Sequence, residues 1–281
     1  MFTLNCRGRL LVAETPLVMG IINVTPDSFY EGSRCDDADA VFRQTERMLK
    51  EGADIIDIGA QSTRPQSQLI PMEEELSRIA GIMDVVTDKF PEAFFSIDTF
   101  YSKVAELCVA AGAHIVNDVS GGQMDPLMIS AAARAGVPYV CMHMRGTPQT
   151  MQQLNDYDDV TKSVIDYFIT KTDECKKAGI KDVILDPGFG FSKNIAQNFE
   201  LLSKLQLLKM LDRPILVGLS RKSTIYKTLK VSAGDALNGT TVLNTVALMK
   251  GASILRVHDV KEAKECVTLC NHLAESVVAG R

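Results

Sequence analysis

Polar and charged side chains recur at the ends of apolar runs along this 281-residue chain. Asn23 closes the run Leu17–Ile22, and Asp57 interrupts Ile55–Ala60. Asp98 follows Phe94–Ile97, and Asn117 with Asp118 follows Ile115–Val116. His143 follows Tyr139–Met142, and Asp186 follows Val183–Leu185. Lys222 lies just beyond Ile215–Leu219, while Arg256 and His258 belong to Ile254–Asp259. A lone carboxylate buried in an apolar strand is costly. Its recurrence in nearly every run is what a shared site at the strand ends produces, not what core packing produces.

The residue types divide the chemistry. Asp98, Asn117 and Asp186 are short acceptors and donors that together suit a flat heterocycle rich in ring N–H and amino groups. Arg64, Arg256, His258 and Lys222 suit an anion such as phosphate or pyrophosphate. Asn23 offers an oxygen to a hard cation, and Mg²⁺ takes one or two protein oxygens and completes its shell with phosphate and water. Phe29, Pro65 and Phe191, in or beside the loops, are placed either to shelter a second, aromatic substrate or to anchor those loops. Asp57, Asp118 and His143 are expected to be interior polar residues, bonded across the fold or holding loops.

Eight apolar runs, each followed by a helical pattern, must position these groups. Strands are expected near 17–23, 55–60, 94–99, 114–119, 139–144, 183–186, 215–219 and 254–259. Asp36 or Asp37 is expected to cap a helix over 38–50 that Gly52 stops. Pro71 opens the next helix, with Glu73, Glu74 and Glu75 in its first turn. Asp125-Pro126 reads as an N-cap followed by an N1 proline. Further helices are expected over 158–178, 198–211 and 236–250. Eight strand-then-helix units at this length give a single (β/α)8 barrel over 17–279, preceded by a short β-hairpin within 1–16. An open Rossmann-like sheet is the runner-up, but no GxGxxG follows the first strand, and Gly188-Phe189-Gly190 supplies only two glycines.

Composition narrows the function. Hydrophobic residues make up 46 % and charged residues 23 %, as in a globular protein with a substantial core. A net charge of −5 gives no electrostatic case for nucleic acid. No stretch of membrane-spanning length is apolar, and the charged N-terminus does not read as an export signal. The seven cysteines form no CxxC and read as reduced thiols of a cytoplasmic protein.

Five stretches, in order, resemble the dihydropteroate synthase family of folate biosynthesis. They are Asn23-Val24-Thr25-Pro26-Asp27-Ser28-Phe29, Ser62-Thr63-Arg64-Pro65, Leu185-Asp186-Pro187-Gly188-Phe189-Gly190-Phe191, Ser220-Arg221-Lys222-Ser223 and Arg256-Val257-His258-Asp259. The resemblance implies condensation of 6-hydroxymethyl-7,8-dihydropterin pyrophosphate with p-aminobenzoate, releasing pyrophosphate and giving 7,8-dihydropteroate; sulfonamides resemble the second substrate. It implies that Asp98, Asn117, Asp186 and Lys222 hold the pterin. It implies that Asn23 binds Mg²⁺ and, with Arg64, Arg256 and His258, the pyrophosphate. Thr63, Pro65, Phe191 and Ser223 would line the p-aminobenzoate pocket. Closure of the first two loops and a homodimer are also implied. An apolar stripe of Val242, Val246, Met249, Val267, Leu269, Leu273 and Val277 is available to a dimer, and equally to covering the barrel.

Two places depart from the family pattern. Gly59-Ala60-Gln61 stands where the family commonly has Gly-Gly-Glu, and Ser192 where it often has Gly before the lysine. Two rival functions remain: a methyltetrahydrofolate–corrinoid methyltransferase, which would share the pterin-facing residues, and a non-catalytic pterin-binding barrel. Neither would need Asn23, Arg64 and the Arg256/His258 pair.

Overall fold

The computed structural model describes residues 1–24, 34–61 and 69–279, apart from the side chains of 34–37 and 277–279. Phe29, Thr63, Arg64 and Pro65, and the side chain of Val277, lie outside the described residues.

The chain opens with a hairpin, β1 (Phe2–Cys6) against β2 (Arg9–Ala13), antiparallel with Cys6 opposite Arg9. Both turn residues, Arg7 (φ 57°) and Gly8 (φ 89°), are left-handed, which matches the twist of the strands. Leu4, Cys6, Leu11 and Ala13 form one buried face, and Leu10 and Val12 lie exposed on the other.

The sheet that follows is parallel. Its strands are β3 (Leu17–Asn23), β4 (Ile55–Gly59), β5 (Phe94–Asp98), β6 (Ile115–Asp118), β7 (Tyr139–Met142), β8 (Val183–Asp186), β9 (Leu216–Val217) and β10 (Ile254–Val257). They are hydrogen-bonded in the order β8-β7-β6-β5-β4-β3-β10-β9. A parallel bridge between Leu185 and Ile215, with Leu185 N–H donating to Pro214 O at 2.9 Å, joins β8 to β9 and closes the barrel. The connecting helices are α1 (Arg34–Lys50), α2 (Met72–Lys89), α3 (Ser102–Ala110), α4 (Met128–Ala135), α5 (Val160–Ala178), α6 (Ile195–Ser203), α7 (Ser223–Leu229), α8 (Leu237–Met249) and α9 (Val260–Ala279).

Two buried layers separate by the two-residue period of the strands. Val18, Ile22, Ile56, Ile58, Phe95, Ile97, Val116, Tyr139, Cys141, Leu185, Val217, Leu255 and Val257 pack outward against the helices. Leu17, Met19, Ile55, Ile115, Val140, Ile184, Leu216 and Ile254 face inward and meet the buried face of the hairpin, which plugs the N-terminal end. Two residues further along the same inward rows stand Ile21, Asp57, Asn117, Met142, Asp186, Gly218 and Arg256. The barrel is therefore apolar at its closed end and polar at its open one.

Several helix ends differ from expectation. The first helix begins at Arg34, so Asp36 and Asp37 lie inside its first turn rather than at its cap. Asp125 does not cap its own helix, which starts at Met128. Its carboxylate instead accepts the Ser102 N–H at 2.7 Å, at the start of α3, and the Leu127 N–H at 2.9 Å. Asn194 begins α6 with a reciprocal Gln197 capping box, and the expected continuation to 211 is a separate 3₁₀ segment, Leu205–Leu211. Glu75 lies in the first turn of α2 as expected but is buried there.

Candidate active site

The inward rows converge on a guanidinium. Arg256 Nε donates to Asp57 Oδ2 at 2.7 Å, and Nη2 donates to Asp98 Oδ2 at 2.6 Å. Asp57 Oδ2 also accepts Asn117 Nδ2 at 3.0 Å, so one carboxylate orients both neighbours. Asp57 Oδ1 is buried without a hydrogen bond among the described residues. Burial works against the Arg256 charge, but Asp57 and Asp98 outweigh it and hold the guanidinium protonated. Burial raises the Asp98 carboxyl above its ordinary range, and Arg256 pulls the other way. Gly59 is what lets Asp98 stand there: a Cβ at Gly59 would lie 3.0 Å from Asp98 Cβ and 3.2 Å from Asp98 O.

Asp186 ends β8 and turns the chain. Its Oδ1 accepts the Gly188 N–H at 2.8 Å. A side chain at Gly188, whose φ is +69°, would collide with His143 O at 2.1 Å. Burial raises the Asp186 carboxyl, opposed most strongly by Lys222. Lys222 Nζ donates to Phe189 O and sits 4.6 Å from the centre of the Phe191 ring. Burial lowers its ammonium to about 8 against the pull of Asp186 and Asp98. Ser223 follows directly as the first residue of α7. An inward Cβ at Gly218 would meet only Lys222 Nζ and Arg256 Cβ, at 3.8 and 3.9 Å, so this position leaves room between the two cations.

An apolar wall rises beyond the strand ends: Phe100, Val119, Met142, Met144, Met151 and Phe191 pack together. One flank is thus fit for a flat ring and the other carries carboxylate and carboxamide groups.

His258 follows β10. Ser220 Oγ accepts its backbone N–H at 3.2 Å and lies 3.0 Å from its Nδ1, so this hydroxyl orients the ring. Arg221, at φ 53°, holds Asp259 with Nε to Oδ2 at 2.9 Å and Nη2 to Oδ1 at 2.8 Å. This fork ties the turn carrying Lys222 to the segment carrying His258.

Asp98, Asn117, Asp186, Lys222 and Arg256 therefore come together at one mouth, with His258 and Ser223 on its rim and Asn23 at the inward end of β3. Arg256 is engaged first by two carboxylates rather than standing as an open cation. Asp118 and His143 point outward, as the interior-polar expectation has it. Asp118 accepts from Ser120 N–H, Ser120 Oγ, Gly122 N–H and Tyr139 Oη between 2.6 and 2.7 Å. Ala60 is buried and its φ is not left-handed, so the departure from glycine carries no backbone strain. Gln61 Nε2 donates to Ile70 O and Glu75 Oε2, each at 2.8 Å, and its Oε1 accepts the Ile70 N–H at 3.2 Å. Burial raises the Glu75 carboxyl, for which a neutral carboxamide is a better neighbour than a second carboxylate. The Arg221–Asp259 fork, the Ser220 hydroxyl and the inward glycines were not singled out from sequence. The fork's signal was present, since both residues sit beside site residues within the quoted motifs.

The sequence profile of the pterin binding enzyme family matches residues 19–258. Dihydropteroate synthase of Escherichia coli (strain K12) is 41 % identical over 266 residues, covering 94 % of each chain. The crystal structure of Yersinia pestis dihydropteroate synthase with a sulfonamide drug superimposes with a TM-score of 0.91 at 39 % identity, covering 98 % of this chain and 100 % of that one. Xanthomonas albilineans dihydropteroate synthase in complex with 7,8-dihydropteroate gives 0.87 at 35 % identity, covering 97 % of this chain and 99 % of that one. With a polar-mouthed barrel in place and likeness running the length of the chain, this protein belongs to the pterin binding enzymes and, among them, to the dihydropteroate synthases.

Proposed function

We propose that the barrel mouth condenses 6-hydroxymethyl-7,8-dihydropterin pyrophosphate with p-aminobenzoate, and that the chain works as one barrel domain over 17–279 behind its hairpin. The observation that carries this reading is the ring of Asp98, Asn117, Asp186 and Lys222 beside Arg256. Asp98 and Asp186 each have one oxygen engaged by a protein N–H, and the second oxygen is assigned to the pterin's ring N–H and amino groups. Lys222 orients the ring as a donor. Arg256, with two of its nitrogens on carboxylates, turns its remaining N–H groups to the pyrophosphate, together with His258 and Arg64. Phe191 and Ser223, beside Lys222 and with Thr63 and Pro65, receive p-aminobenzoate, whose place a sulfonamide would take. The corrinoid-methyltransferase and non-catalytic readings fall away, because the relatives matched along the whole chain are synthases.

The bond between the exocyclic methylene and the pyrophosphate oxygen breaks, and its electrons leave with pyrophosphate. The pterin shares the positive charge with its ring, which Asp98 and Asp186 stabilise. The neutral arylamine then gives its lone pair to the methylene carbon and loses a proton. No dedicated base is required.

Asn23 fits the role of a magnesium ligand: its half-buried carboxamide ends the inward row of β3. No cluster of three or more His, Cys, Asp or Glu able to hold a metal occurs among the described residues, so most ligands would come from pyrophosphate and water, as Mg²⁺ prefers. When bound, Mg²⁺ neutralises charge on the leaving group.

A cytoplasmic home is supported by six described cysteines that form no disulfide, and no described helix is long and apolar enough to cross a membrane. A homodimer is supported by an exposed apolar stripe on α8 and α9. Val242, Met249, Leu269 and Leu273 are 53, 67, 70 and 56 % exposed, whereas Val267 is buried in the core.

Four outcomes test these readings. Pyrophosphate release from the dihydropterin substrate should require both p-aminobenzoate and Mg²⁺, stop with EDTA and yield dihydropteroate; release without the arylamine, or full activity in EDTA, contradicts the reading. The pH profile of kcat/KM for the pterin substrate should fall above about pH 8, because the free enzyme's Lys222 ammonium loses its proton there and can no longer act as a charged donor. Lys222→Gln should lose that alkaline limb and bind the pterin about 10- to 100-fold more weakly, the range for a charged hydrogen bond; intact binding with lost turnover would rule out an orienting role. In sedimentation, Leu269→Glu should shift a dimer toward monomer without unfolding the barrel, and an unchanged dimer would place the interface elsewhere.

A further inference from the structure

The least expected group near the mouth is Lys193, a lysine 4 % exposed that no step above uses. It stands beyond Phe191, behind the loop rather than in the cavity. Its Nζ lies 2.9 Å from His143 Nδ1, 3.0 Å from Phe191 O, 3.1 Å from Gly188 O and 3.4 Å from His143 O. Burial lowers the Lys193 ammonium to about 7; when it is protonated it only donates, and His143 Nδ1 then accepts. That agrees with a histidine 3 % exposed and held neutral by burial and by Lys193 itself. The same ammonium thus takes two carbonyls of the loop after β8 and the ring and carbonyl at the end of β7.

Its neighbour makes a parallel pair of contacts. Ser192, buried and at φ 47°, accepts the Arg145 N–H at 3.0 Å and lies 3.2 Å from Tyr157 Oη. Arg145 covers the Tyr157 ring at 3.7 Å. Ser192 and Lys193 therefore fasten the loop on both sides of Met144, to Arg145 and His143 in turn. The fastened loop presents the Phe189 carbonyl that receives Lys222 and the Phe191 ring over which Lys222 sits.

We propose that Lys193, assisted by Ser192, is a positioning residue for the second substrate: it sets the depth and tilt of Phe191 and thereby the shape of the p-aminobenzoate pocket. The proposal rests on the reading of Phe191 as a wall of that pocket. Lys193 touches neither substrate. Removing its donors strands the carbonyl of Phe191 and leaves that of Gly188 with the Phe191 N–H at 3.1 Å alone, and the loop must then turn to find another partner for Phe191 O. Asp186 is less exposed to this change, because its own bond to the Gly188 N–H and its place on β8 hold it independently.

The test is steady-state kinetics with both substrates on Lys193→Met, which keeps the chain's bulk and deletes its donors, with Phe191→Ala alongside. Lys193→Met should raise the KM for p-aminobenzoate tenfold or more while the dissociation constant of the dihydropterin substrate, measured by calorimetry, stays within about twofold. Ser192→Gly, which suits the left-handed backbone and removes the hydroxymethyl group, should raise the same KM two- to fivefold with no loss of thermal stability. This second variant decides the matter if Lys193→Met does not fold. Unchanged KM values in both variants, or equal loss of affinity for both substrates, would overturn the proposal. If Phe191→Ala raises the KM for p-aminobenzoate and the Lys193 and Ser192 variants do not, the positioning role fails and the pocket stands. If Phe191→Ala leaves that KM unchanged, the pocket assignment fails and the proposal with it.

Discussion

The site depends on one buried arrangement, the Arg256 guanidinium held between Asp57 and Asp98 across the inside of the barrel. Taking three charges out of water is expensive, and a well-packed apolar substitute would often serve stability as well. What the arrangement supplies is organisation. It opposes the upward pull of burial on the Asp98 carboxyl, and it aims Asn117 through the shared oxygen of Asp57. It also gives the guanidinium a fixed direction. Among the described residues, three carboxyl groups, Asp57, Asp98 and Asp186, stand around two cations, Arg256 and Lys222. On the proposed reading these carboxylates would stabilise a positive methylene, with the pyrophosphate leaving toward the rim where His258 stands.

The fold makes this arrangement possible by layering. Along four of the inward rows the same two-residue step that places an apolar side chain against the hairpin places a polar one at the mouth. Ile55 is followed by Asp57, Ile115 by Asn117, Ile184 by Asp186 and Ile254 by Arg256. The closed end supplies the hydrophobic burial, which frees the open end to carry charge. At the mouth, Gly59 makes room for Asp98, and Gly218 leaves space between Lys222 and Arg256.

Much of this was legible in the sequence because barrel strands buried on both faces appear as short apolar runs, and a charge at the end of such a run is conspicuous. The strand series and the residues at the mouth follow from that alone. Strand parity also separates Asn117 from Asp118, since only the former shares a face with Ile115. The helix ends were less readable, because partners distant in sequence decide them. Asp125 has the local look of a cap, yet its carboxylate serves Ser102 in the preceding helix. Lys193 was hidden for a related reason. Next to a glycine-rich loop it reads as a surface charge, and only the fold reveals four acceptors around its nitrogen. Gln61 looked like a lost charge but is a neutral partner for a buried acid.

The central claim is that the Arg256 charge organises the interior carboxylates, and the stability of Arg256→Met as a function of pH tests it most directly. Without the guanidinium, the stranded carboxylates would bind protons more tightly in the folded state than in the unfolded one, so the variant should lose stability as pH rises from about 4 toward 8. Its deficit against the parent should be about 3–5 kcal/mol at pH 8 and shrink steadily as the pH is lowered toward 5. A deficit that is small, or that stays the same across that range, would mean that the carboxylates do not depend on Arg256 and that the site is held together by something else.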